Sequence, residues 1–123
     1  MSDKLDVVGI GNAMVDAIIP SNQSEIEKHE INRDSMNLID ENLKNNLHES
    51  YSIREMAGGG SLGNSMFGIT SFGGNGSFIG KIKNDEIGVY LQKDMIREGL
   101  KFPLGFTSPD ISTGCCTIFV EED

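Results

Sequence analysis

The run of small residues at 57–65 is the part of this chain whose composition could support chemistry. It reads Ala-Gly-Gly-Gly-Ser-Leu-Gly-Asn-Ser and leads into a segment with helical patterning. Glycine permits positive φ and close approach of a ligand to the main chain. The start of a helix presents unpaired N–H groups at the positive end of its dipole, so a polar or anionic group is a natural ligand here. The alternative interpretation is a tight strand-to-helix turn that binds nothing.

Two phosphate-binding motifs match parts of the sequence, and each fails on one residue. The spacing from Gly58 to Gly63 fits the P-loop, but Asn64 stands where that motif needs a lysine for the β- and γ-phosphates. Residues 9–11 begin like the dinucleotide-binding fingerprint, but Met14 occupies the position of its third glycine. The Asn64 amide can cap the helix or hydrogen-bond a neutral polar ligand. The loop therefore suits sugar hydroxyls better than phosphates.

Few other side chains have an arrangement that suggests catalysis. Asp16 follows an apolar strand, which makes a purely structural role hard to assign, whereas Asp85 is explained well as a helix cap. His29 and His48 lie on polar segments, and we expect both to be solvated at the surface. No Ser-His-Asp, Cys-His or paired-carboxylate arrangement is evident.

Composition and charge narrow the class of protein. The chain has 123 residues, enough for one domain, and a net charge of −9, which argues against nucleic acid and anionic membranes as partners. No secretory signal and no membrane-spanning apolar stretch are recognised. Cys115 and Cys116 are adjacent, so on a strand they point to opposite faces and no disulfide between them is expected. Reduced thiols of a cytoplasmic protein are the expectation.

The order of predicted elements indicates an α/β fold. A buried strand at 5–11, with Val7, Val8 and Ile10 as its apolar residues, precedes the glycine run; a helix after Asn64 and a strand at 77–81 complete a βαβ unit with parallel strands. The more polar stretch 13–56 is predicted to be an insertion. Other expected elements are a helix at 24–31, a strand-like piece at 36–39, a helix from Asp40 to Leu47, a helix after Asp85 with Ile87, Leu91, Met95 and Glu98 on one face, and a strand at 113–120.

The chain resembles the N-terminal part of the PfkB family of sugar and nucleoside kinases, the group that includes ribokinase and adenosine kinase. The pattern of Gly11, Asn12 and Asp16 is closer to the adenosine-kinase-like branch. The match runs over nearly the whole sequence and comprises Asp6 to Asn12 with Asp16, residues 57–65, Phe78 to Lys81, Asn84 and Asp85 followed by Gly88, and Thr113 with Gly114.

This resemblance implies a ribokinase-like fold: a partial, parallel, Rossmann-like sheet with flanking helices and a small β-sheet lid, the C-terminal half being missing. Residues 1–123 would be one portion of a kinase domain, with 5–12 and 57–99 in the α/β core and 13–56 and 100–123 mainly in the lid. The implied activity is ATP-dependent phosphorylation of a hydroxymethyl group on a sugar or nucleoside. An inert binding or dimerisation module built from the same lid is the alternative, and a homodimer through lid strands is one expectation.

The resemblance also implies where the substrate binds. Asn12 and Asp16 would hydrogen-bond acceptor hydroxyls, a glycine pair within 58–60 would close around the same sugar with Asn64, and lid residues Cys116 and Ile118 would cover it. The implied substrate-binding residues are thus Asn12, Asp16, Gly58, Gly59, Gly60, Asn64, Cys116 and Ile118. The family's Gly-Ala-Gly-Asp base and Asn-x-x-Glu magnesium motif have no match, so no catalytic or metal-binding residue is expected. ATP and Mg²⁺ are expected for the full-length enzyme, and none is expected to bind this segment alone.

Overall fold

Residues 4–122, the part that the computed structural model describes, form five strands and four helices. The strands form a two-stranded sheet, β1-β4, and a three-stranded sheet ordered β3-β2-β5. This arrangement confirms the α/β class. The elements are β1 (Val7–Ile10), β2 (Met14–Ser21), α1 (Gln23–Lys28), α2 (Glu41–Ser50), β3 (Glu55–Gly59), α3 (Ser61–Ser71), β4 (Gly76–Ile79), α4 (Glu86–Arg97) and β5 (Gly114–Glu121).

The pair β1-β4 confirms the predicted parallel strands, but the prediction that β1 is a buried strand is wrong. The strands are parallel, with Val7 opposite Gly76 and Ile10 opposite Ile79, and α3 contacts both. The apolar residues of β1 are not buried, however: Val7, Val8 and Ile10 are 39%, 51% and 76% exposed. Within residues 4–122, β1 has a neighbouring strand on one side only. An apolar run is buried in a parallel sheet only where strands and helices cover it on all sides.

Strand β2 shows the alternation of a strand with one buried face. Val15, Ala17 and Ile19 are fully buried, whereas Met14 and Asp16 on the opposite face are half-buried. Successive residues of a strand point to opposite faces. Asp16 therefore lies within β2, on the face that is not packed into the core.

Three of the four helices in the described part begin with a side-chain cap. The Asn22 Oδ1 accepts from the Glu25 N–H at 3.1 Å before α1, and the Asp40 Oδ1 accepts from the Leu43 N–H at 2.8 Å before α2. Before α4, the Asp85 Oδ1 accepts from the Gly88 N–H at 2.7 Å. Capping of this kind is the usual role of Asn and Asp at helix starts, so the predicted roles of Asp40 and Asp85 are confirmed.

Two segments differ from the sequence-based expectation. Residues 36–39 form no strand, and Met36 and Leu38 are almost fully exposed. So short a segment, with Asn37 among its apolar residues, becomes a strand only where a partner strand pairs with it. In contrast, Glu55–Gly59 forms β3 although it ends in two glycines, a residue type that is depleted in strands.

The two histidines are half-buried and hydrogen-bonded, so the expectation that both are solvated is wrong. The His29 Nε2 lies 2.8 Å from the Tyr51 hydroxyl, and the His48 Nε2 lies 2.8 Å from the Thr117 hydroxyl. The Tyr51 ring also meets the Phe119 ring edge-on, with centroids 5.5 Å apart. The partner of each histidine, Tyr51 after α2 for His29 and Thr117 on β5 for His48, is distant in sequence, so the local sequence does not reveal it.

The chain divides into two compact units. The first comprises the described parts of 1–16 and 57–116, and the second comprises 17–56 and the described part of 117–123. In the first unit, Phe78 is fully buried and stacks on Phe102 with ring centroids 6.1 Å apart. In the second, Ile19 and Leu47 are fully buried. Across 4–122 no helix has the length and apolarity to cross a bilayer. The predicted assignment of residues to a kinase core and a lid stays a prediction.

Candidate functional site

Strand β3 carries the glycine run to the start of α3. β3 ends at Gly59, Gly60 follows with φ of +80°, and α3 begins at Ser61. This φ lies in the left-handed region, which side-chain-bearing residues rarely adopt. A Cβ added to Gly60 would lie 3.6 Å from the Asn12 carbonyl oxygen, an ordinary contact, so backbone conformation rather than space requires glycine there. The main chain of Asn12 is therefore a close neighbour of Gly60.

The start of α3 has no side-chain cap, unlike those of the other three helices. Its N-cap residue is Gly60, whose carbonyl oxygen accepts from the Asn64 N–H at 3.0 Å. The N–H groups of residues 61–63 precede that first intrahelical bond and have no capping side chain. The Asn64 side chain is exposed and does not cap the helix. The first turn of α3 therefore keeps N–H donors and the positive end of a helix dipole for another partner.

The Asp16 carboxylate lies directly against the main chain of Gly59. A Cβ added to Gly59 would lie 2.5 Å from the Asp16 Cγ and 2.6 Å from its Oδ1, closer than real Cβ atoms come to any neighbour. Only glycine admits the carboxylate at this position. No hydrogen bond or ion pair to the Asp16 carboxylate is found within residues 4–122. A half-buried acid thus faces the glycine run with its oxygens available.

Cys116 shares the surroundings of Asp16. Burial, and then the negative charge of Asp16, raise the pKa of the Cys116 thiol above its ordinary value. Both effects disfavour the thiolate. Neither Cys115 nor Cys116 forms a disulfide within residues 4–122. At neutral pH Cys116 therefore presents a neutral thiol, a weak hydrogen-bond donor, beside the carboxylate.

Gly58 faces away from the Asp16 carboxylate. Its N–H donates to the Asp94 Oδ2 at 3.1 Å, and a Cβ added to it would lie 2.7 Å from the Phe67 ring. Because neighbouring strand residues point to opposite faces, Gly58 packs against α3 and α4 while Gly59 meets Asp16. Gly59 thus meets Asp16 and Gly60 meets the Asn12 main chain, whereas Gly58 meets neither; which glycines contact a ligand stays a prediction.

The remaining candidates fall into two groups. Asn12, Asp16, Gly59, Gly60 and Cys116 belong to the first compact unit, and the contacts described above connect them, with Asn64 on the first turn of α3. Ile118 belongs to the second unit. No three His, Cys, Asp or Glu side chains between residues 4 and 122 come together as a metal site requires.

Sequence reasoning missed Asp94 and misplaced Glu98. The buried face of α4 is formed by Ile87, Leu91, Asp94 and Met95, whereas Glu98 is the exposed C-cap residue. Asp94 lies three residues after Leu91, within the apolar stripe. A charged residue at a core-facing position was the available signal, because such a residue is retained only where it has strong partners.

Solved structures of known proteins resemble the whole chain. No known family profile matches the sequence, and no curated protein matches it. The adenosine kinase from Sinorhizobium meliloti is 34% identical, with a TM-score of 0.80, over 98% of this chain and 37% of that one. A probable sugar kinase from Rhizobium etli CFN 42 is 31% identical, with a TM-score of 0.76, over 97% of this chain and 36% of that one. The adenosine kinase from Anopheles gambiae, at 23% identity and a TM-score of 0.77, supports the fold alone.

The chain spans little more than a third of the length of these relatives. Over that span it shares their fold and about a third of the residues of the first two. These similarities confirm the resemblance to the PfkB family of ribokinase-like sugar and nucleoside kinases.

Proposed function

We propose that this chain is the acceptor-binding portion of an ATP-dependent kinase that phosphorylates a hydroxymethyl group of a sugar or nucleoside. The observation that carries the proposal is the Asp16 carboxylate against Gly59, beside the uncapped start of α3. A hydroxyl both donates and accepts hydrogen bonds. A site that offers carboxylate acceptors on one side and main-chain donors on the other matches a ligand rich in hydroxyls.

Each group in the site has a definite part in binding. The two oxygens of Asp16 accept from neighbouring hydroxyls of the ligand, through charge-assisted bonds that are stronger than neutral ones. The N–H groups at the start of α3 donate to a hydroxyl oxygen, and the Asn12 and Asn64 amides add donors and acceptors. The result is a fixed position for the reacting hydroxymethyl group.

Orientation of this kind is a large part of kinase catalysis. Phosphoryl transfer depends on positioning and on neutralising charge, with little covalent chemistry for the protein to perform. ATP with Mg²⁺ supplies the phosphoryl group, and in this proposal residues beyond 123 hold both. The 123-residue chain alone is expected to bind acceptor without phosphorylating it.

The relatives define the acceptor classes to test. Two of them are adenosine kinases and one is a probable sugar kinase, so adenosine, ribose and fructose are the first ligands. We place the protein in the cytoplasm, a reducing compartment where Cys115 and Cys116, which form no disulfide with each other, stay reduced. The exclusion of nucleic acid and membranes as partners stays a prediction based on charge.

Calorimetric titration of the chain with these three ligands tests binding. We expect saturable binding of at least one, and Asp16→Asn should weaken it at least tenfold while the exposed Asp110→Asn, a matched loss of charge, leaves it unchanged. A wild-type chain that binds none of the three, or an Asp16→Asn chain that binds as tightly as wild type, would contradict the proposal.

A chimera tests the kinase activity. The corresponding third of the S. meliloti adenosine kinase is replaced by this chain, which covers 37% of that protein. We expect ATP-dependent phosphorylation of adenosine that falls at least tenfold with Asp16→Asn. A folded chimera that binds ATP but phosphorylates no acceptor would argue against the assigned role.

The alternative function, an inert dimerisation module, also has an observation in its favour. Within the described residues, β5 lies at one edge of the three-stranded sheet, and an unpaired edge strand can add a second chain by main-chain hydrogen bonds. This alternative predicts a concentration-dependent dimer in sedimentation experiments and no acceptor binding. Acceptor binding by a monomer would eliminate it.

A further inference from the structure

Asp94 is a buried carboxylate that takes no part in the proposed contacts to the acceptor. It is 7% exposed and lies on the buried face of α4 beside Leu91 and Met95. Removing a carboxylate from water is costly unless it is paired and hydrogen-bonded. Its Oδ2 accepts from the Gly58 N–H at 3.1 Å, and its Oδ1 is paired with the Arg97 guanidinium.

The contact with Gly58 fixes β3 at the glycine run. A Cβ added to Gly58 would lie 2.7 Å from the Phe67 ring and 2.9 Å from the Asp94 Oδ2. Gly58 is thus enclosed by a ring from α3 and a carboxylate from α4, with no space for a side chain. The next residue, Gly59, consequently faces Asp16 on the opposite side of the strand.

We infer that Asp94 is a positioning residue for acceptor binding, an inference that rests on the proposed function. By holding the Gly58 N–H, it keeps Gly59 against Asp16 and fixes where Gly60 lies and where α3 begins. Glycine has more conformational freedom to lose on ordering than any other residue. Without the Asp94 hydrogen bond, the glycine run would be ordered only when the acceptor binds, and the entropy lost in ordering it would weaken binding.

A substitution at Arg97 distinguishes the positioning role of Asp94 from a general contribution of Asp94 to stability. Its side chain is 66% exposed and reaches Asp94 from the solvent side of α4. Arg97→Met removes the ion pair and leaves the Asp94–Gly58 hydrogen bond in place. Asp94→Ala removes both, and Asp94→Asn keeps an oxygen that can still accept from Gly58.

The experiment compares these variants in the 123-residue chain by amide hydrogen exchange, calorimetric titration with adenosine, ribose and fructose, and urea unfolding. We expect slow exchange of the wild-type Gly58 amide, at least tenfold faster exchange in Asp94→Ala, and at least tenfold weaker acceptor binding in that variant. Asp94→Asn should restore both within about threefold. Arg97→Met should lower stability and bind the acceptor within twofold of wild type.

A purely structural Asp94 would lower stability in every variant without changing the affinity of the folded chain. Wild-type acceptor affinity in a folded Asp94→Ala chain would overturn the inference and leave the proposed function intact. If Asp94→Ala does not fold, an unprotected Gly58 amide in the wild-type chain would overturn it equally. A wild-type chain that binds none of the three ligands would overturn the proposed function, and the positioning role with it.

Discussion

Replacing Gly59 with alanine should separate acceptor binding from folding. The new methyl group would occupy the space of the Asp16 carboxylate, whose Cγ lies 2.5 Å from the Cβ position. That carboxylate is the far end of a short side chain with no hydrogen bond to lose among residues 4–122, so it can rotate away. The folded structure should survive, with Asp16 turned from the site.

The expected loss of acceptor affinity in Gly59→Ala equals the contribution of the hydrogen bond between the ligand and Asp16. A hydrogen bond to a charged group contributes roughly 1.5–3 kcal/mol, and about 1.4 kcal/mol corresponds to tenfold in affinity. Gly59→Ala should therefore weaken acceptor binding by roughly 10- to 150-fold. The cost in stability should be about 1 kcal/mol, the cost of displacing one side chain from its preferred rotamer.

Calorimetric titration and urea unfolding measure the two quantities on the same chain. Gly68→Ala is the control, because a Cβ there meets nothing within 4 Å and alanine in a helix interior should raise stability by about 0.5–1 kcal/mol. The double variant Gly59→Ala/Asp16→Asn should bind no more weakly than either single variant, since both remove the same contact. Wild-type affinity in Gly59→Ala, or full additivity in the double variant, would refute the reasoning.

Three further predictions concern stability and thiol chemistry. Gly88→Ala should lower the free energy of unfolding by about 2–3 kcal/mol in urea, because its Cβ would overlap a main-chain carbonyl oxygen that cannot rotate away; a loss below 0.5 kcal/mol, an order-of-magnitude threshold, would contradict this. Thr113→Val should cost about 1–3 kcal/mol, since the Thr113 hydroxyl donates to Asp85 at 2.7 Å, and Thr113→Ser should retain most of the stability. Alkylation of Cys116 should follow a pKa above its ordinary value, and Asp16→Asn should lower that pKa and speed alkylation at pH 8, as mass spectrometry can measure. Because the pKa is raised in the folded chain, the thiol should reduce stability as pH rises from the ordinary thiol pKa toward the raised one.

The fold was predictable where the signals are local. Asp40 and Asp85 cap helices that the sequence alone delimits, and the parallel pairing of β1 with β4 follows from an intervening helix. Burial depends on partners from elsewhere in the chain. The exposure of β1 and the absence of a strand at 36–39 could not be read from apolar runs alone.

The contact between Asp16 and the glycine run could be anticipated from the sequence but its orientation could not, and the role of these residues in binding stays a prediction. Sequence reasoning named Asp16 and the glycine run, and the structure places them in contact. It could not choose among three glycines, because the face that each presents depends on the unpredicted strand β3. The charge of Asp94 within an apolar stripe marks that residue in the sequence, but its partner, the main chain of Gly58, is distant in sequence and carries no side-chain signal.

The distance from the Asp16 carboxylate to a bound acceptor hydroxyl tests the account most directly. A crystal structure of the chain with adenosine or a sugar would give it. We predict a hydroxyl oxygen within about 2.5–3.0 Å of an Asp16 oxygen, with the ligand against Gly59 and the first turn of α3. An acceptor bound elsewhere on the chain, with Asp16 untouched, would contradict the account.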